Sequence, residues 1–424
     1  MNKPRLIFSA PVFSLSGYGC HARDILYSIW KMDKYDVSIA SMPWGNTPLT
    51  ELQDDSEFSL WVRDNLLQEQ NVAKPDVFIQ VSVANEFTPL GKFSLGITAG
   101  VETTVAPKSF VDGCNRMDRV LVPSKFTKRV LEQTTYTEQN KHTGQVIREH
   151  KVETPIDVLF EGVDLNIFGK SHGHSLLDEV EEDFNFLFVG SWLKGEHKKD
   201  RKDIGGLIET FCSVFKNLPK EHRPGLILKT SHAGFSVIDR ETVWNKIEAV
   251  TSQFGDDCPS IYFLHGDLTP EELSSLYYDD KVKAMASFTK GEGYGRPLCE
   301  FSITGKPVIT SNWSGHTDFL SSEEAVLIDG SVEKVDPSAV NDFIIKEAGW
   351  FTVDYKKAAG KLFDVVHRYD SYLEKSQKLG ERNRKEFSLD KMKKDFQRYM
   401  NRYVKTPEFR EFKMPNLKLH KENE

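Results

Sequence analysis

The sequence predicts an α/β fold in which two doubly wound parallel sheets, each covered by helices, face a central cleft. Three observations lead to this prediction. The chain has 424 residues, too many for one ordinary hydrophobic core. Short apolar runs alternate with amphipathic segments along its length, which is the pattern of a parallel sheet wrapped in helices. A polar stretch, SHGHSLLDEVEED, interrupts this series and is the best candidate for a linker.

The position of that stretch sets the expected domain bounds. Residues 1–165 are predicted to form a first Rossmann-like domain, residues 166–184 the linker and residues 185–388 a second Rossmann-like domain. Residues 389–424 are predicted to form a C-terminal helix and basic tail that cross back to the first domain. Ligands of such sheets bind at the carboxyl ends of the strands, so we expect the functional residues in the loops that follow strands.

In the first half, the apolar runs predict strands and the amphipathic runs predict helices. Strands are expected at RLIFSA (Arg5–Ala10), DVSIA (Asp36–Ala40), DVFIQVS (Asp76–Ser82), FSLGITA and RVLVPS. A helix is expected from Cys20 to about Lys31, and another over Lys125–Gln133 with Ser124 as its N-cap. The polar region from Thr134 to Thr154 indicates a loop or hairpin insertion.

The second half repeats the same alternation. Strands are expected at FNFLFVGSW, GLILKT, SIYFLHG, KAMASF and PVIT, and helices at GLIETFCSVFKNL, ETVWNKIEAVTSQF and TPEELSSLYYD. The last of these begins with a Thr N-cap, a proline and acidic residues, as helices often do. A further helix is expected after Pro297 and ends at Gly305, and a long amphipathic helix from Leu389 to about Tyr403 closes the series.

The composition is that of a globular protein, with 39% hydrophobic and 28% charged residues. No apolar run reaches the roughly 18 to 20 residues that span a bilayer. The first residues, MNKPRLIFSAPVF, lack the apolar block and cleavage site of a signal peptide and are predicted to form a strand. We therefore expect a cytoplasmic protein.

The net charge of −8 is unevenly distributed, and the cysteines are scattered. From Lys375 to Glu424 there are 15 Lys and Arg against 8 Asp and Glu, a net charge of +7. Such a tail is either a solvated helix face or a surface for nucleic acid, anionic lipid or a protein partner. Neither the five cysteines nor the histidines have the spacing of metal ligands, so we expect reduced thiols and no metal site.

The segment GEGYGRPLCEFSITGKPVI follows a predicted strand and leads into a helix. Gly293 and Gly295 allow backbone amides to approach a ligand closely, and the helix N-terminus favours an anion. A phosphate would suit the amides from Tyr294 to Leu298. Glu300 would accept both hydroxyls of a ribose, and Glu292 would bind sugar hydroxyls deeper in the cleft. The alternative is an ordinary glycine-rich turn with two solvated acids.

Five segments in order resemble the retaining glycosyltransferases of the GT-B fold, in the large family 4 group. The E-x7-E pattern of that family is carried by GEGYGRPLCE, from Glu292 to Glu300. NRMDRVLVPSKFTKRVL, FEGVDLNIF, FLFVGSW followed by DRKDIGGLIETF, and SNWSGHTDFL are similar to other segments of the family. The pattern E-x7-E alone is moderately specific, and the shared order of all five segments is what makes the resemblance strong.

The resemblance implies a role for each matching residue. Glu300 would bind the ribose, Glu292 would contact the transferred sugar, and Lys202, together with Arg201, would neutralise the donor diphosphate. The family's usual arginine after "VG" is replaced here by Ser191 and Trp192 with a longer HKKDRKD loop, which leaves the choice between Arg201 and Lys202 open. Lys229, at the end of the strand GLILKT, is a weaker candidate for phosphate binding.

The first domain carries two further candidate segments. SLSGYG, after the first strand, resembles the glycine loop beside the donor phosphates, where Gly17 and Gly19 would allow close backbone approach. A plain turn between strand and helix is the alternative. Glu102 follows a strand at a position where the family keeps a polar residue facing the acceptor, and an exposed loop acid is the alternative.

The expected activity is transfer of a sugar, with retention of its anomeric configuration, from a nucleotide-diphosphate donor to an acceptor hydroxyl. A UDP-sugar is the first choice of donor and a GDP-sugar the second, with no cofactor. The acceptor is a glycan, a small molecule or, as in some phage enzymes of this fold, a hydroxymethylated base in DNA. In that last case the protein would work in the cytoplasm of the host cell. Two rival functions suit the same fold: a nucleotide-sugar epimerase and a non-catalytic nucleotide-sugar-binding protein.

Overall fold

The computed structural model describes residues 3–45, 47–68, 73–140, 143, 145–232 and 234–404. These residues contain two six-stranded sheets, and every pair of neighbouring strands in both sheets is parallel. Helices connect the strands in each sheet. The predicted class, α/β with two doubly wound sheets, is confirmed.

The first sheet has the strand order β2-β1-β3-β4-β5-β8. The elements in this part of the chain are β1 (Arg5–Ala10), α1 (Gly17–Met32), β2 (Asp36–Ser41), α2 (Glu57–Asp64), β3 (Val77–Val81), β4 (Phe93–Ile97), α3 (Lys108–Cys114), β5 (Arg119–Val122), α4 (Lys125–Gln133), β6 (Thr135–Gln139), β7 (Val146–Lys151) and β8 (Ile156–Val158). Strands β6 and β7 pair antiparallel, so the predicted insertion is a hairpin.

The second sheet has the strand order β11-β10-β9-β12-β13-β14, and β15 and β16 form a separate antiparallel pair. The elements here are α5 (Leu165–Phe168), β9 (Asn185–Val189), α6 (Ile204–Phe215), β10 (Gly225–Lys229), α7 (Val237–Thr251), β11 (Ile261–Leu264), α8 (Pro270–Tyr278), β12 (Val282–Ser287), α9 (Arg296–Ser302), β13 (Val308–Ser311), β14 (Val326–Ile328), β15 (Gly330–Lys334), β16 (Gly349–Val353), α10 (Tyr355–His367), α11 (Tyr369–Glu386) and α12 (Leu389–Tyr403). Short 3-10 helices cover Ala84–Glu86, Lys220–His222, Ser252–Asp257, Gly315–Asp318 and Pro337–Ala339. Within the described ranges, no helix is both long and apolar enough to cross a membrane.

Helix α12 packs on the first sheet although it follows the second in the chain. Its apolar residues recur every three or four positions, so they form one face of the helix. Leu389, Met392, Phe396 and Met400 are buried in the same core as Leu6 of β1. Burying each of these side chains contributes roughly 2 kcal/mol.

The chain crosses from one sheet to the other twice, and the two crossings lie next to each other. The amide of Val163 donates to the carbonyl of Phe387 at 2.9 Å, and the amide of Leu389 donates to the carbonyl of Val163 at 2.7 Å. A Cβ atom on Gly162 would lie 2.5 Å from the Cα of Leu389, so only glycine allows the two passages to touch. We propose that each sheet with its helices forms one domain and that α12 belongs to the first. Residues 405–424 of the predicted basic tail lie outside the described residues.

Two predicted helices begin earlier than expected because serines cap them. Helix α1 starts at Gly17 rather than near Cys20, since the Ser16 side chain accepts a hydrogen bond from the amide of Gly19. Helix α7 starts at Val237, capped in the same way by Ser236. Gly17 and Gly19 therefore lie in the first turn of a helix and not in a free loop.

Candidate active site

The loops at the carboxyl ends of the two sheets touch each other. The hydroxyl of Ser124, after β5, donates to the carbonyl of Gly293 at 2.6 Å, and the amide of Lys125 donates to Asp318 at 2.8 Å. A Cβ atom on Gly293 would lie 2.0 Å from the carbonyl oxygen of Ala99, so a glycine is required for this approach. The segment after β12 therefore lies against the loops that follow β4 and β5.

Two cations and two carboxylates form a cluster at this junction. Lys202 Nζ lies 2.5 Å from Glu292 Oε1, and Arg201 Nη1 lies 3.2 Å from Glu292 Oε2. The same Arg201 atom lies 3.3 Å from Glu102 Oε1, on the loop after β4. Sequence reasoning left Arg201 and Lys202 as alternatives, whereas the structure brings both to Glu292. Glu102, Arg201, Lys202 and Glu292 are called the ion-pair cluster below.

The loop that carries the two cations is held by a buried network. Asp200 Oδ1 accepts the amides of Lys202 and Asp203 at 3.0 and 2.9 Å. The amide of Lys290 donates to the carbonyl of Arg201 at 2.7 Å. The Lys290 side chain is 1% exposed, and its Nζ donates to Asp203 Oδ2, which also accepts the hydroxyl of Tyr355. These contacts fix the backbone of the loop against the segment after β12, so its consecutive cations face one carboxylate.

The charges of the cluster are set by burial and by its own members. Burial alone would raise the pKa of Glu292, but the charges of Lys202 and Arg201 outweigh it and lower the pKa to about 2. Burial lowers the pKa of Lys202, and the charge of Glu292 opposes that shift. Glu292 is therefore ionised at neutral pH. Arg201 and Lys202 therefore lie side by side against one ionised carboxylate.

Glu300 lies in the second turn of α9, in a different environment from Glu292. Its Oε1 accepts from Arg296 Nε at 2.7 Å, and its Oε2 accepts from the Tyr277 hydroxyl at 3.5 Å. Arg296 Nη1 also donates to Asp24 Oδ2 of α1 at 2.9 Å. One of the two carboxylate oxygens expected to bind ribose is therefore occupied by an arginine.

Sequence reasoning missed Asp24, Glu161 and Arg296, which surround Glu300. Glu161 is 6% exposed, and burial raises its pKa to about 7, against the lowering effect of Arg296. The one available signal was the placement of Arg296 four residues before Glu300 on a predicted helix, which puts the two on one face. Asp24, Glu161, Arg296 and Glu300 are called the Arg296 cluster below.

The glycine-rich segment offers fewer groups to a ligand than the sequence predicted. Gly295, the N-cap residue of α9, has a φ of 96°, which glycine adopts readily. The amide of Leu298 donates to the carbonyl of Gly295 at 3.0 Å, so it is not available to a phosphate. The Tyr294 side chain is buried, with its ring centroid 5.0 Å from that of Phe319, and its role is in packing.

Of the candidate residues in the first turn of α1 and at the end of β10, Gly19 and Lys229 have other hydrogen-bond partners, whereas Gly17 is open. The amide of Gly19 donates a hydrogen bond to Ser16 Oγ at 3.0 Å. A Cβ atom on Gly19 would lie 2.1 Å from the carbonyl oxygen of Ser14. Gly17 has open space around its Cα. Lys229 Nζ donates to the carbonyl of Gly266 at 2.7 Å, on the loop after β11.

His316 follows β13 and is fully buried beside the glycine-rich segment. Its Nε2 lies 2.7 Å from the carbonyl oxygen of Ser311, and its Cβ would lie 3.2 Å from a Cβ on Gly295. Burial lowers its pKa, so the imidazole is neutral at pH 7. Across the described residues, the His, Cys, Asp and Glu side chains form no group of three that could hold a metal ion.

Comparison with solved structures finds proteins of the same architecture at low sequence identity. HepE from Anabaena, in complex with UDP and glucose, aligns with 94% of this chain and 100% of its own, with a TM-score of 0.58 and 11% identity. A glycosyltransferase from Rickettsia africae aligns with 96% of this chain and 100% of its own (TM-score 0.59, 14% identity). Sucrose-phosphate synthase from Thermosynechococcus elongatus aligns with 95% and 99% (TM-score 0.60, 12% identity). No protein-family model and no curated protein sequence matches the chain.

Proposed function

We propose that this chain, whose predicted GT-B fold the structural comparisons confirm, is a retaining glycosyltransferase that uses a nucleotide-diphosphate sugar. The observation that carries the proposal is the ion-pair cluster, in which Arg201 and Lys202 lie side by side against Glu292 at the junction of the two sheets. HepE, which has the same fold, was determined with UDP-glucose. A UDP-sugar is therefore the first choice of donor, and a GDP-sugar is the second.

Arg201 and Lys202 would hold the donor diphosphate. When the glycosidic bond to the phosphate breaks, negative charge develops on the leaving oxygen, and fixed cations nearby lower the energy of that state. Both cations are paired with Glu292, so each would share or exchange that partner when the diphosphate binds. Removing one such charge-stabilising group typically lowers the rate about a hundredfold or more.

Glu292 and Glu102 would act on the sugar and on the acceptor side. Glu292 stays ionised at neutral pH, so it can accept hydrogen bonds from sugar hydroxyls but cannot donate a proton. Glu102 comes from the first domain and shares Arg201 with Glu292. In the proposed reaction the leaving phosphate oxygen takes the proton of the acceptor hydroxyl on the same face of the sugar, which retains the anomeric configuration.

The decisive experiment combines donor binding with turnover. The melting temperature of the whole protein is measured with UDP-, GDP-, ADP- and TDP-sugars, because a ligand of the native state raises it. We expect a UDP-sugar to give the largest shift. Lys202→Ala should abolish the shift and lower transfer at least a hundredfold, whereas Lys199→Ala, an exposed lysine of the same loop, should change neither.

Two outcomes would contradict the proposal. If Lys202→Ala and Arg201→Ala left turnover unchanged, the ion-pair cluster would not be the catalytic centre. Turnover of a UDP-sugar without any acceptor, with inversion at a ring carbon, would instead identify an epimerase. Mass spectrometry of glycans, small molecules and hydroxymethylated DNA incubated with the protein and its donor then identifies the acceptor.

A further inference from the structure

Arg296 fixes one oxygen of Glu300 and leaves the other available. Arg296 Nε donates to Glu300 Oε1 at 2.7 Å, a short charge-assisted hydrogen bond. The Tyr277 hydroxyl reaches Glu300 Oε2 only at 3.5 Å, the outer limit of a hydrogen bond. Glu300 is 4% exposed, so its carboxylate has little water to accept from. Oε2 can therefore accept a hydrogen bond from a ligand hydroxyl while Oε1 is held.

Helix stability does not explain this pair. Helix α9 has seven residues, and an arginine one turn before a glutamate places both charges against the helix dipole. Pairs of the opposite order are the ones that stabilise helices. The bond between Arg296 and Glu300 therefore serves the position of the glutamate rather than the helix.

Arg296 also connects the second domain to the first. Its Nη1 donates to Asp24 Oδ2 at 2.9 Å, and Asp24 lies on α1, 272 residues away in the chain. Glu161, on the passage between the sheets, is a third carboxylate near the same guanidinium. A buried carboxylate stays ionised only beside a cation, and Arg296 is the cation that contacts Glu300.

We propose that Arg296 is a positioning residue that orients Glu300 for the ribose of the donor, and that Asp24 holds Arg296 from the opposite domain. The inference rests on the proposed function, because it assumes a nucleotide donor. Its consequence is specific: recognition of the ribose in the second domain depends on a carboxylate of the first. The binding site for the nucleoside is then complete only when the two domains are together.

The test compares two nucleotides that differ only in the ribose. UDP and 2′,3′-dideoxy-UDP, which lacks both ribose hydroxyls, are titrated calorimetrically into the whole protein. We expect wild type to prefer UDP about tenfold or more, the effect of a hydrogen bond to a charged group. Arg296→Leu and Glu300→Gln should bring the preference close to one, Asp24→Asn should reduce it, and Arg296→Lys, which keeps the charge, should restore part of it.

The ratio of the two affinities separates positioning from structural damage. A merely structural loss would weaken both nucleotides equally and leave the ratio unchanged. Arg382→Leu is the matched control. Arg382, on α11, forms an ion pair with Glu324 at 2.9 Å and is not part of the Arg296 cluster, so this variant should keep the wild-type ratio of affinities. If Arg296→Leu does not fold, the ratio of affinities measured for the isosteric variant Asp24→Asn tests the positioning role instead.

Failure of the inference is distinguishable from failure of the proposed function. If wild type binds none of UDP, GDP and ADP, both are wrong. If wild type binds GDP better than UDP, the comparison is made with GDP and 2′,3′-dideoxy-GDP, and the same ratios are expected. If wild type distinguishes the ribose and the Arg296 and Asp24 variants distinguish it equally well, only the positioning role is wrong.

Discussion

Replacing Glu161 by glutamine should stabilise the protein at high pH. Glu161 is buried; the charges of Asp24, Glu300 and Glu292 also raise its pKa, and the charge of Arg296 lowers it. Burial is the largest cause of its shift, and its pKa rises from 4.5 to about 7. The folded protein therefore binds the proton of Glu161 more tightly than the unfolded chain does.

The sign and size of the effect follow from linkage between protonation and folding. Below pH 4.5 Glu161 is protonated in the folded and the unfolded state, so its titration does not change the free energy of unfolding. Between pH 4.5 and about 7 the unfolded chain releases the proton while the folded protein keeps it, so stability falls as the pH rises. The difference between these two pKa values, at about 1.36 kcal/mol for each pH unit, amounts to about 3 kcal/mol above pH 7. Glu161→Gln cannot ionise and should recover most of it.

Urea unfolding, followed by tryptophan fluorescence between pH 5 and pH 8.5, measures this directly. We expect the free energy of unfolding of Glu161→Gln to exceed that of wild type by about 3 kcal/mol at pH 8, and by much less at pH 5. Glu153→Gln, which removes the same formal charge from an exposed loop, should follow wild type at each pH. A difference that stays constant with pH, or a loss of stability at pH 8, would refute the reasoning.

Two further predictions concern the segment after β12. Glu292→Gln should lower the free energy of unfolding by about 3 kcal/mol at pH 7, because Lys202 and Arg201 hold the pKa of Glu292 at about 2, below its ordinary 4.5. In a urea series extended below pH 4.5 the loss should shrink as the pH falls towards 2, and a loss independent of pH would contradict the assignment. Gly293→Ala should separate the domains, because its Cβ would lie 2.0 Å from the Ala99 carbonyl oxygen. A larger radius of gyration in X-ray scattering and weaker donor turnover are expected, and an unchanged scattering curve with full turnover would contradict the contact.

Strands and capped helices were predictable because their signals are local. The run RLIFSA is apolar on both faces, as a strand covered by helices on both sides must be, and it forms β1 with Leu6 and Ile7 in different cores. TPEELSSLYYD forms α8, with the Thr269 side chain and the Glu272 carboxylate capping each other's amides. In both cases the residues that determine the element lie within it.

Elements without a local signal escaped prediction. Strand β15, Gly330–Lys334, is fully exposed and has the sequence GSVEK, so no apolar alternation marks it, and its pairing with β16 is what makes it a strand. Helix α11 is strongly polar and buries few of its side chains, so its hydrophobic pattern is weak. The context that stabilises such elements lies elsewhere in the chain.

The sequence indicated candidate site residues but not the contacts between them. The resemblance assigned Glu292 to the transferred sugar and Lys202, with Arg201, to the donor diphosphate, and in the structure both cations contact Glu292. The contacts of Arg201 with Glu102 and of Arg296 with Asp24 join residues about 100 and 270 positions apart. The spacing of residues in the sequence does not determine contacts over such distances, because they depend on how the elements of the two sheets pack together.

The two glutamates of the E-x7-E pattern have the same chemistry in the sequence and different chemistry in the fold. Glu292, on the loop after β12, contacts two cations and is ionised throughout the physiological range. Glu300, eight residues later on α9, contacts Arg296 and has other carboxylates around it, and burial raises its pKa. A pH dependence of donor binding near neutrality should therefore originate in the Arg296 cluster and not at Glu292. Glu161→Gln should remove the part of this dependence that comes from Glu161, whose pKa burial raises to about 7.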